Sequence, residues 1–367
     1  MAPQTLRITV IGAGHGGKAM AAELASRGFP VTLYNRTFAN IEVIATRGGI
    51  ELMTEDGREV FGSLHKVTSE LGEALEEAQL VMVVLPASAH WDTAIKAAPY
   101  VKNDQIILLN PGRTGGALEF AEGLRAAGCT TRPIVCEAET FIFASRSMGP
   151  AEARIFRTKY SLPAAAFPTT RTEEAVAVIR QAYPQFFAAK NVLYTSLNNM
   201  GAIFHPSLML LNTGWIEATL GDFEFYMDGV TFSTARVLET LDRERVTVGS
   251  AIGIRAQTAQ EWLYRAYSAE GANLFEAMHA NPGYGGIKAP NRMNHRYIFE
   301  DVPCSLVPIA LIGRQYGVET PTINTMVHLA NIIQGTDYWH KGRTTEKLGI
   351  RGLSVSELHH YVDTGEK

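Results

Sequence analysis

The sequence predicts a doubly wound α/β unit followed by an all-helical unit. Three observations carry this. Short apolar runs alternate with helical stretches up to about residue 190. A glycine-rich turn follows the first of those runs. Beyond residue 190 the apolar residues recur only at helical spacing. The 367 residues, 46% of them apolar, suffice for two cores, because a domain commonly takes about 100–200 residues. The expected division is 1–190 and 191–367.

Taken in order, "RITVIG", "PVTLYN", "LVMVVLP", "QIILLNP" and "PIVCEAE" are short, mainly apolar runs. That texture belongs to parallel strands covered on both faces. Between them, "GKAMAAELASRG", "ALEEAQ", "TAIKAAPYV" and "GALEFAEGLRAAG" are predicted helices. "GGIELMTEDGREVFG" carries Asp-Gly between alternating residues and is expected to form a small hairpin. "ARIFRTKYSLPAAAFP" is expected to supply strands that complete the sheet. After residue 190, "MGAIFHPSLMLLNTGWIEATL", "TFSTARVLETLDRERVTVGSAIG", "TAQEWLYRAY", "VPCSLVPIALIGRQYG" and "INTMVHLANIIQ" carry helical spacing. A cleft between two such domains is the expected place for a ligand.

The first strand runs into "GAGHGG", where Gly12, Gly14 and Gly17 fit G-x-G-x-x-G between a strand and a helix. The first glycine permits the tight turn, the second lets backbone approach a pyrophosphate, and the third lets helix lie on sheet. This predicts a Rossmann dinucleotide site at a helix N-terminus, with His15 and Gly16 lending backbone. The second strand ends "LYNRT". An acid at this point holds ribose hydroxyls in NAD-binding units, and here Asn35, Arg36 and Thr37 stand instead. Arg36 can pair with a 2′-phosphate, so NADP(H) is expected in preference to NAD(H). "VVLPASAH" and "LLNPGRTGG" end later strands, so Pro86, Asn110 and Pro111 are expected beside the nicotinamide. Arg113 and Thr114 are weaker candidates, because Arg-Thr after Pro-Gly also reads as a plain helix start.

Two polar islands stand out in the helical part. In "YTSLNNMGAIFHPSLMLLN", Thr195, Asn198, Asn199 and His205 interrupt an apolar run. Asn198 and His205 are seven apart, hence on one face if the helix is continuous. Pro206 hints at a kink or helix junction. In "NRMNHRYIFEDVPCSLVPIALI", Asp301 can cap the following helix with Pro303 in its first turn, and Arg296 can pair with Glu300. A histidine–carboxylate meeting of His205 and Asp301 is equally open at this stage. Trp215, Tyr264 and Phe275 suit either core packing or a side-chain pocket.

Composition narrows the function. A net charge of −4, with no basic block, argues against nucleic acid or an anionic membrane as the main partner. Cys129, Cys136 and Cys304 match no zinc or redox spacing and are expected to be reduced; no metal site is expected. The opening "MAPQTLRITVIGAG" shows no secretory core and no apolar run reaches about 18 residues, so a cytoplasmic location is expected.

"GAGHGG", "NPGRTGGALEF", "TSLNNMGAIFHP", "NHRYIFEDVPCSLVP" and "GRTTEKLGIRGLS", in this order, resemble the opine dehydrogenases, most closely the bacterial N-(1-carboxyethyl)-norvaline dehydrogenase type, over nearly the whole chain. The resemblance implies reductive condensation of an amino acid with a 2-oxo acid such as pyruvate, through an imine. It puts the family's catalytic histidine on His205, its partner aspartate on Asp301 and the arginine that grips the oxo-acid carboxylate on Arg296; Thr140 is also expected to reach substrate, as is Asn198 from its spacing to His205. Where relatives tend to read Glu-Thr before small polar residues, this chain reads "EAETFIFASR". Glu137 matches and is assigned to the cofactor side; Ala138 and Glu139 depart, and Glu139 raises the expectation of a basic amine donor. A homodimer is expected through the helical part. The main rival is a 3-hydroxyacid, ketopantoate or glycerol-3-phosphate type dehydrogenase on a similar frame. Those use a lysine acid, and this chain has no lysine between Asn191 and Ile287. A nicotinamide-sensing scaffold without turnover is a second, remoter rival.

Overall fold

The computed structural model describes residues 5–367; the opening residues 1–4, on which the leader reading partly rests, lie outside the described residues. The chain forms two compact units. One holds the residues up to Gly112, then Gly116–Thr195 and His359–Lys367; the other holds Arg113–Gly115 and Ser196–Leu358. The single expected cut after residue 190 therefore falls five residues early and misses two short segments, Arg113–Gly115 and His359–Lys367. The C-terminal one returns to the first unit because Tyr361 packs edge-on against Phe167 at 5.0 Å and its hydroxyl accepts from Arg125 at 2.7 Å.

Among its described residues the first unit holds twelve strands: β1 (Ile8–Ile11), β2 (Val31–Tyr34), β3 (Gly49–Met53), β4 (Glu59–Ser63), β5 (Lys66–Thr68), β6 (Leu80–Val83), β7 (Ile106–Leu109), β8 (Ile134–Ala138), β9 (Phe143–Gly149), β10 (Glu152–Thr158), β11 (Leu162–Phe167) and β12 (Phe186–Ala188). The main sheet runs β12-β11-β8-β7-β6-β1-β2-β5. Every pairing in it is parallel except β11 on β8. The strand order reverses beside β1, between β2 and β6, which is where such sheets take nucleotides. Strands β1, β6, β7 and β8 are buried at every residue, as their unbroken apolar runs require.

The expectation for "ARIFRTKYSLPAAAFP" divides. β11 joins the main sheet, whereas β10 pairs with β3 and β9 in a separate four-stranded sheet, β4-β3-β10-β9. The reason lies in the pattern: β11 is buried throughout, while β10 alternates and so can bury only one face. The expected hairpin is β3–β4, with Gly57 at φ 81° in its turn. The small sheet packs on α1 (His15–Ser26), where Lys18 Nζ donates to Ser147 Oγ and to the Gly149 carbonyl, both at 3.0 Å. Helices α2 (Glu42–Arg47), α3 (Leu71–Glu76), α4 (His90–Ala97), α5 (Gly116–Ala126) and α6 (Thr172–Ala182) complete this unit.

Beyond β12 the described chain is helical apart from one bridge, Glu224 with Lys288. The helices are α7 (Val192–Leu197), α8 (Gly201–Leu211), α9 (Thr213–Thr219), α10 (Phe232–Ala251), α11 (Ala259–Tyr267), α12 (Leu274–His279), α13 (Arg296–Phe299), α14 (Val307–Gln315), α15 (Pro321–Gln334), α16 (Tyr338–Lys341) and α17 (Val355–Thr364). Their starts follow local chemistry. Thr231 caps α10, and Thr258 with Glu261 forms a reciprocal capping box on α11. Between α13 and α14, Val302–Leu306 forms a π-helical turn. Its Pro303 and Cys304 carbonyls accept from the backbone N–H groups of Arg343 and Thr114. No helix among the described residues is long and apolar enough to cross a membrane.

Candidate active site

The run "SLNNM" is a break between helices, and polar side chains fill it. Leu197 gives its carbonyl to the fully buried Arg245, and Asn198 Oδ1 accepts the Gln257 backbone N–H at 2.8 Å. Asn199 Oδ1 accepts from Arg113 Nη1 at 3.1 Å. The helix expected to be continuous through Asn198 and His205 is therefore two helices, α7 and α8. Asn198 is fully buried and spends its amide oxygen on the loop before α11. The junction lies upstream of the expected place, since Pro206 sits inside α8.

His205 projects from the second turn of α8, with its side chain 20% exposed. Its Nδ1 lies 2.8 Å from Asp301 Oδ2. Asp301 precedes the π-helical turn but makes no capping bond there, contrary to the capping alternative; its carboxylate turns to the imidazole instead. The other oxygen, Oδ1, lies 2.9 Å from Arg113 Nη2, an ion-pair contact off the hydrogen-bond axis. Arg113 Nε also donates to Glu300 Oε1 at 3.1 Å. Glu300 in turn holds Arg296 Nη2 at 2.9 Å from Oε2 and 3.1 Å from Oε1. The pairing of Arg296 with Glu300 is thus present, yet the Arg296 side chain stays 46% exposed. The structure brings His205, Asp301 and Arg296 into one network and adds Arg113 and Glu300 to it.

Two neighbours shape this cluster. The Tyr297 ring stacks on the imidazole, centroids 3.9 Å apart and planes 15° apart. Gly201 starts α8 where a Cβ would lie 2.5 Å from Arg113 Nη1 and 3.1 Å from His205 Cε1. A side chain there would occupy the space of the guanidinium.

Burial lowers the pKa of His205; Asp301 opposes that shift, and Arg113 and Arg296 reinforce it. The imidazole is therefore neutral near pH 7. With Nδ1–H donated to a carboxylate, Nε2 carries the lone pair that can take a proton. Burial works against the Arg113 charge, but Asp301 and Glu300 outweigh it and hold the guanidinium protonated. His295 accepts the Tyr297 N–H at the start of α13; burial first, then Arg296 and His205, push it down to about 4.

The glycine turn expected to cradle a nucleotide lies in the first unit. Gly12 has φ 111°, and a Cβ there would lie 2.4 Å from the Val84 carbonyl oxygen. A Cβ on Gly17 would lie 1.8 Å from the Gly12 carbonyl oxygen, while one on Gly14 would meet nothing within 4 Å. Two glycines are thus required by the turn, and the third leaves open space at the N-terminus of α1, the end of a helix that favours anions. The residues fit a dinucleotide's phosphates. His15 does more than lend backbone, as its Nδ1 accepts the Ser147 N–H at 2.9 Å. Gly16 lies against Phe141. Asn35 Oδ1 accepts from Ala13 N–H and its Nδ2 donates to the Thr37 carbonyl, while Arg36 and Thr37 are exposed. Pro86 is exposed after β6; Asn110 and Pro111 are buried after β7.

Other candidates are spent inside the fold. Glu137 is fully buried, with one oxygen on the Ala117 N–H at 2.8 Å and the other on Thr195 Oγ1 at 2.6 Å, so it supports the start of α5 rather than presenting an open carboxylate. Thr140 Oγ1 accepts from Lys159 Nζ at 3.1 Å. Glu139 is 2% exposed, which gives the basic-donor expectation no open acid to rest on. Trp215 stacks on Phe223 at 4.0 Å, Phe275 on Phe232 at 3.9 Å, and Tyr264 is 58% exposed. The residues that sequence reasoning undervalued are Arg113, Glu300, Tyr297 and Gly201. Arg113 left a trace as an arginine just after a strand-ending Pro-Gly, and Glu300 as a helical partner for Arg296; Tyr297 and Gly201 left none.

Comparison with known proteins bears on this geometry. The family pattern described as NAD/NADP octopine/nopaline dehydrogenase, alpha-helical domain, matches residues 188–334. The NAD binding domain of 6-phosphogluconate dehydrogenase matches residues 7–113. An opine dehydrogenase of Arthrobacter sp. (strain 1C) is 35% identical over 96% of this chain and 98% of its own. The octopine dehydrogenase of Pecten maximus is 22% identical, covering 94% of each chain. In fold, the chain is similar to an octopine dehydrogenase solved with NADH and L-arginine, with a TM-score of 0.81 at 20% identity over 99% of each chain.

Proposed function

The chain belongs to the opine dehydrogenase family, and from that premise we propose how its own residues carry the reaction. It is an NAD(P)-dependent oxidoreductase acting on a CH–NH bond. The amine of an amino acid attacks the carbonyl of a 2-oxo acid such as pyruvate, water leaves, and the imine is reduced to a secondary amine bearing two carboxylates. The nicotinamide supplies the hydride.

His205 Nε2 takes the proton that the α-ammonium must lose before it can attack. The resulting imidazolium returns a proton to the carbinolamine hydroxyl, which then departs as water. Asp301, 2.8 Å from Nδ1, fixes the tautomer and stabilises the charged ring between these steps. Arg296 offers its exposed guanidinium edge to the oxo-acid carboxylate, while Glu300 holds the other edge. Two-point contact orients the carbonyl for attack and the later imine for reduction. The observation that carries this reading is the His205–Asp301 pair with Arg296 tied into the same carboxylate pair.

For the cofactor, exposed Arg36 and Thr37 beside an Asn35 held by Ala13 favour NADP(H) over NAD(H). The assignment extends to a cytoplasmic location and a homodimer, the latter tested by sedimentation equilibrium. The decisive assay is a matrix of amino acids against 2-oxo acids, with NADPH and NADH, each oxo acid also run without amine. Cofactor oxidation is expected only with both substrates present. Turnover of an oxo acid alone, at a comparable rate, would replace this reading with a hydroxyacid dehydrogenase.

A further inference from the structure

We propose that Arg113 is a positioning residue whose single guanidinium fixes the distance and the charge relation between the proton-transfer group and the carboxylate clamp. The inference rests on the roles given above to His205 and Arg296.

Glu300 and Asp301 are consecutive, and both side chains are fully buried. Each holds one functional group on its far side: Arg296 on Glu300, His205 on Asp301. Arg113 lies between them, with Nε on Glu300, Nη2 on Asp301 and Nη1 on Asn199. The order Arg296–Glu300–Arg113–Asp301–His205 makes Arg113 the only member that touches both carboxylates. Without a cation between them, two adjacent buried negative charges would favour the charged form of the imidazole bonded to Asp301, that of His205. Arg113 therefore keeps the imidazole neutral and ready to act as a base. It also keeps Glu300 aimed at Arg296.

The backbone is built to deliver this side chain. Arg113 sits at φ 62°, a region that few residues other than glycine adopt. Thr114 N–H donates to the Cys304 carbonyl at 3.1 Å, Gly115 N–H to Ser196 Oγ at 2.8 Å, and Arg343 Nη1 to the Thr114 carbonyl at 3.0 Å. The tripeptide Arg113–Gly115 thereby belongs to the helical unit, although the sequence on either side of it belongs to the other. Gly201 leaves room for the guanidinium. With its side chain 6% exposed and Nε, Nη1 and Nη2 each against protein, Arg113 acts on the site through the two carboxylates.

The test compares Arg113→Met, Arg113→Lys and His205→Asn with the parent enzyme, reading kcat/KM against pH, KM for the oxo acid and Tm. Arg113→Met removes the charge at similar length. Its acid limb is expected to move up by about one pH unit or more, the usual reach of a lost charge at this distance, and KM for the oxo acid is expected to rise. Arg113→Lys keeps the charge, so its limb should stay near the parent position while kcat falls through lost two-point geometry. Should Arg113→Met fail to fold, Glu300→Gln is measured in its place: one carboxylate fewer should shift the limb downward. Unshifted limbs in all of these variants, with only Tm lowered, would overturn the proposal. Substantial activity in His205→Asn would instead overturn the reading on which it rests.

Discussion

Replacing Gly201 by alanine separates packing from catalysis in a way the geometry makes quantitative. The new Cβ would stand 2.5 Å from Arg113 Nη1 and 3.1 Å from both Asn199 Oδ1 and His205 Cε1. Ordinary contact needs about 3.5 Å, so the guanidinium must retreat by roughly 1 Å. It cannot do so freely, because Glu300, Asp301 and Asn199 hold it at 2.9–3.1 Å. Overpacking of this kind costs about 1–3 kcal/mol, and alanine's helix preference returns up to about 1 kcal/mol. Net stability should fall by about 0–2 kcal/mol, a modest change in Tm. Catalysis should suffer far more, since a misplacement of about 1 Å can cost about 100-fold. The assay is kcat and kcat/KM beside a thermal melt, with Gly214→Ala as control. Gly214 lies in α9 with nothing within 4 Å of its added Cβ, so that variant should keep full activity. Gly201→Ala within twofold of parent activity would refute the claimed tightness of the cluster.

Asp301→Asn keeps the shape and removes the charge. Loss of the carboxylate lowers the basicity of His205 further, so the acid limb should move to lower pH while kcat falls about 1,000-fold or more, as in hydrolase triads that lose their acid; an unchanged kcat would remove Asp301 from the mechanism. Arg36→Ala should raise KM for NADPH about 10–100-fold, the worth of one or two charge-assisted bonds, and leave KM for NADH within twofold. Stability should decline in acid. His205 and His295 are both held below their ordinary values, His295 at about 4. Between about pH 6.5 and 4 the unfolded chain therefore binds protons that the folded chain refuses, and stability present above pH 6.5 is lost as pH falls through that window. His295→Asn, which can still cap α13, should flatten the acid side of a Tm-against-pH curve.

Local pattern carried most of the architecture. Mainly apolar runs marked β1, β2, β6, β7 and β8, and Asp-Gly marked the hairpin, because strand burial and tight turns leave direct traces in composition. The glycine turn was legible from its spacing: a Cβ on Gly17 would strike the Gly12 carbonyl within the turn, and one on Gly12 would strike the Val84 carbonyl beside it. The destination of β10 was not legible, since an alternating strand states which face it buries and not which neighbour it pairs with. His205, Asp301 and Arg296 could be named as candidates from residue type and resemblance. Their meeting could not be derived from spacing, and the helical face argued for Asn198 and His205 does not exist, because α7 and α8 are separate.

What the sequence determined by itself was therefore everything with a period or a tight local constraint: the order of strands and helices, the phosphate turn, and the absence of an acid after β2. What only the tertiary structure decided was which charges share a site. Arg113 reads locally as an unremarkable residue after Pro-Gly, and Glu300 as a helix-face partner for Arg296. Their importance arises because folding buries two neighbouring acidic side chains, and the guanidinium that contacts both comes from a residue 187 positions before Glu300. A buried charge must find its partner wherever the fold supplies one, and sequence distance does not reveal where that is.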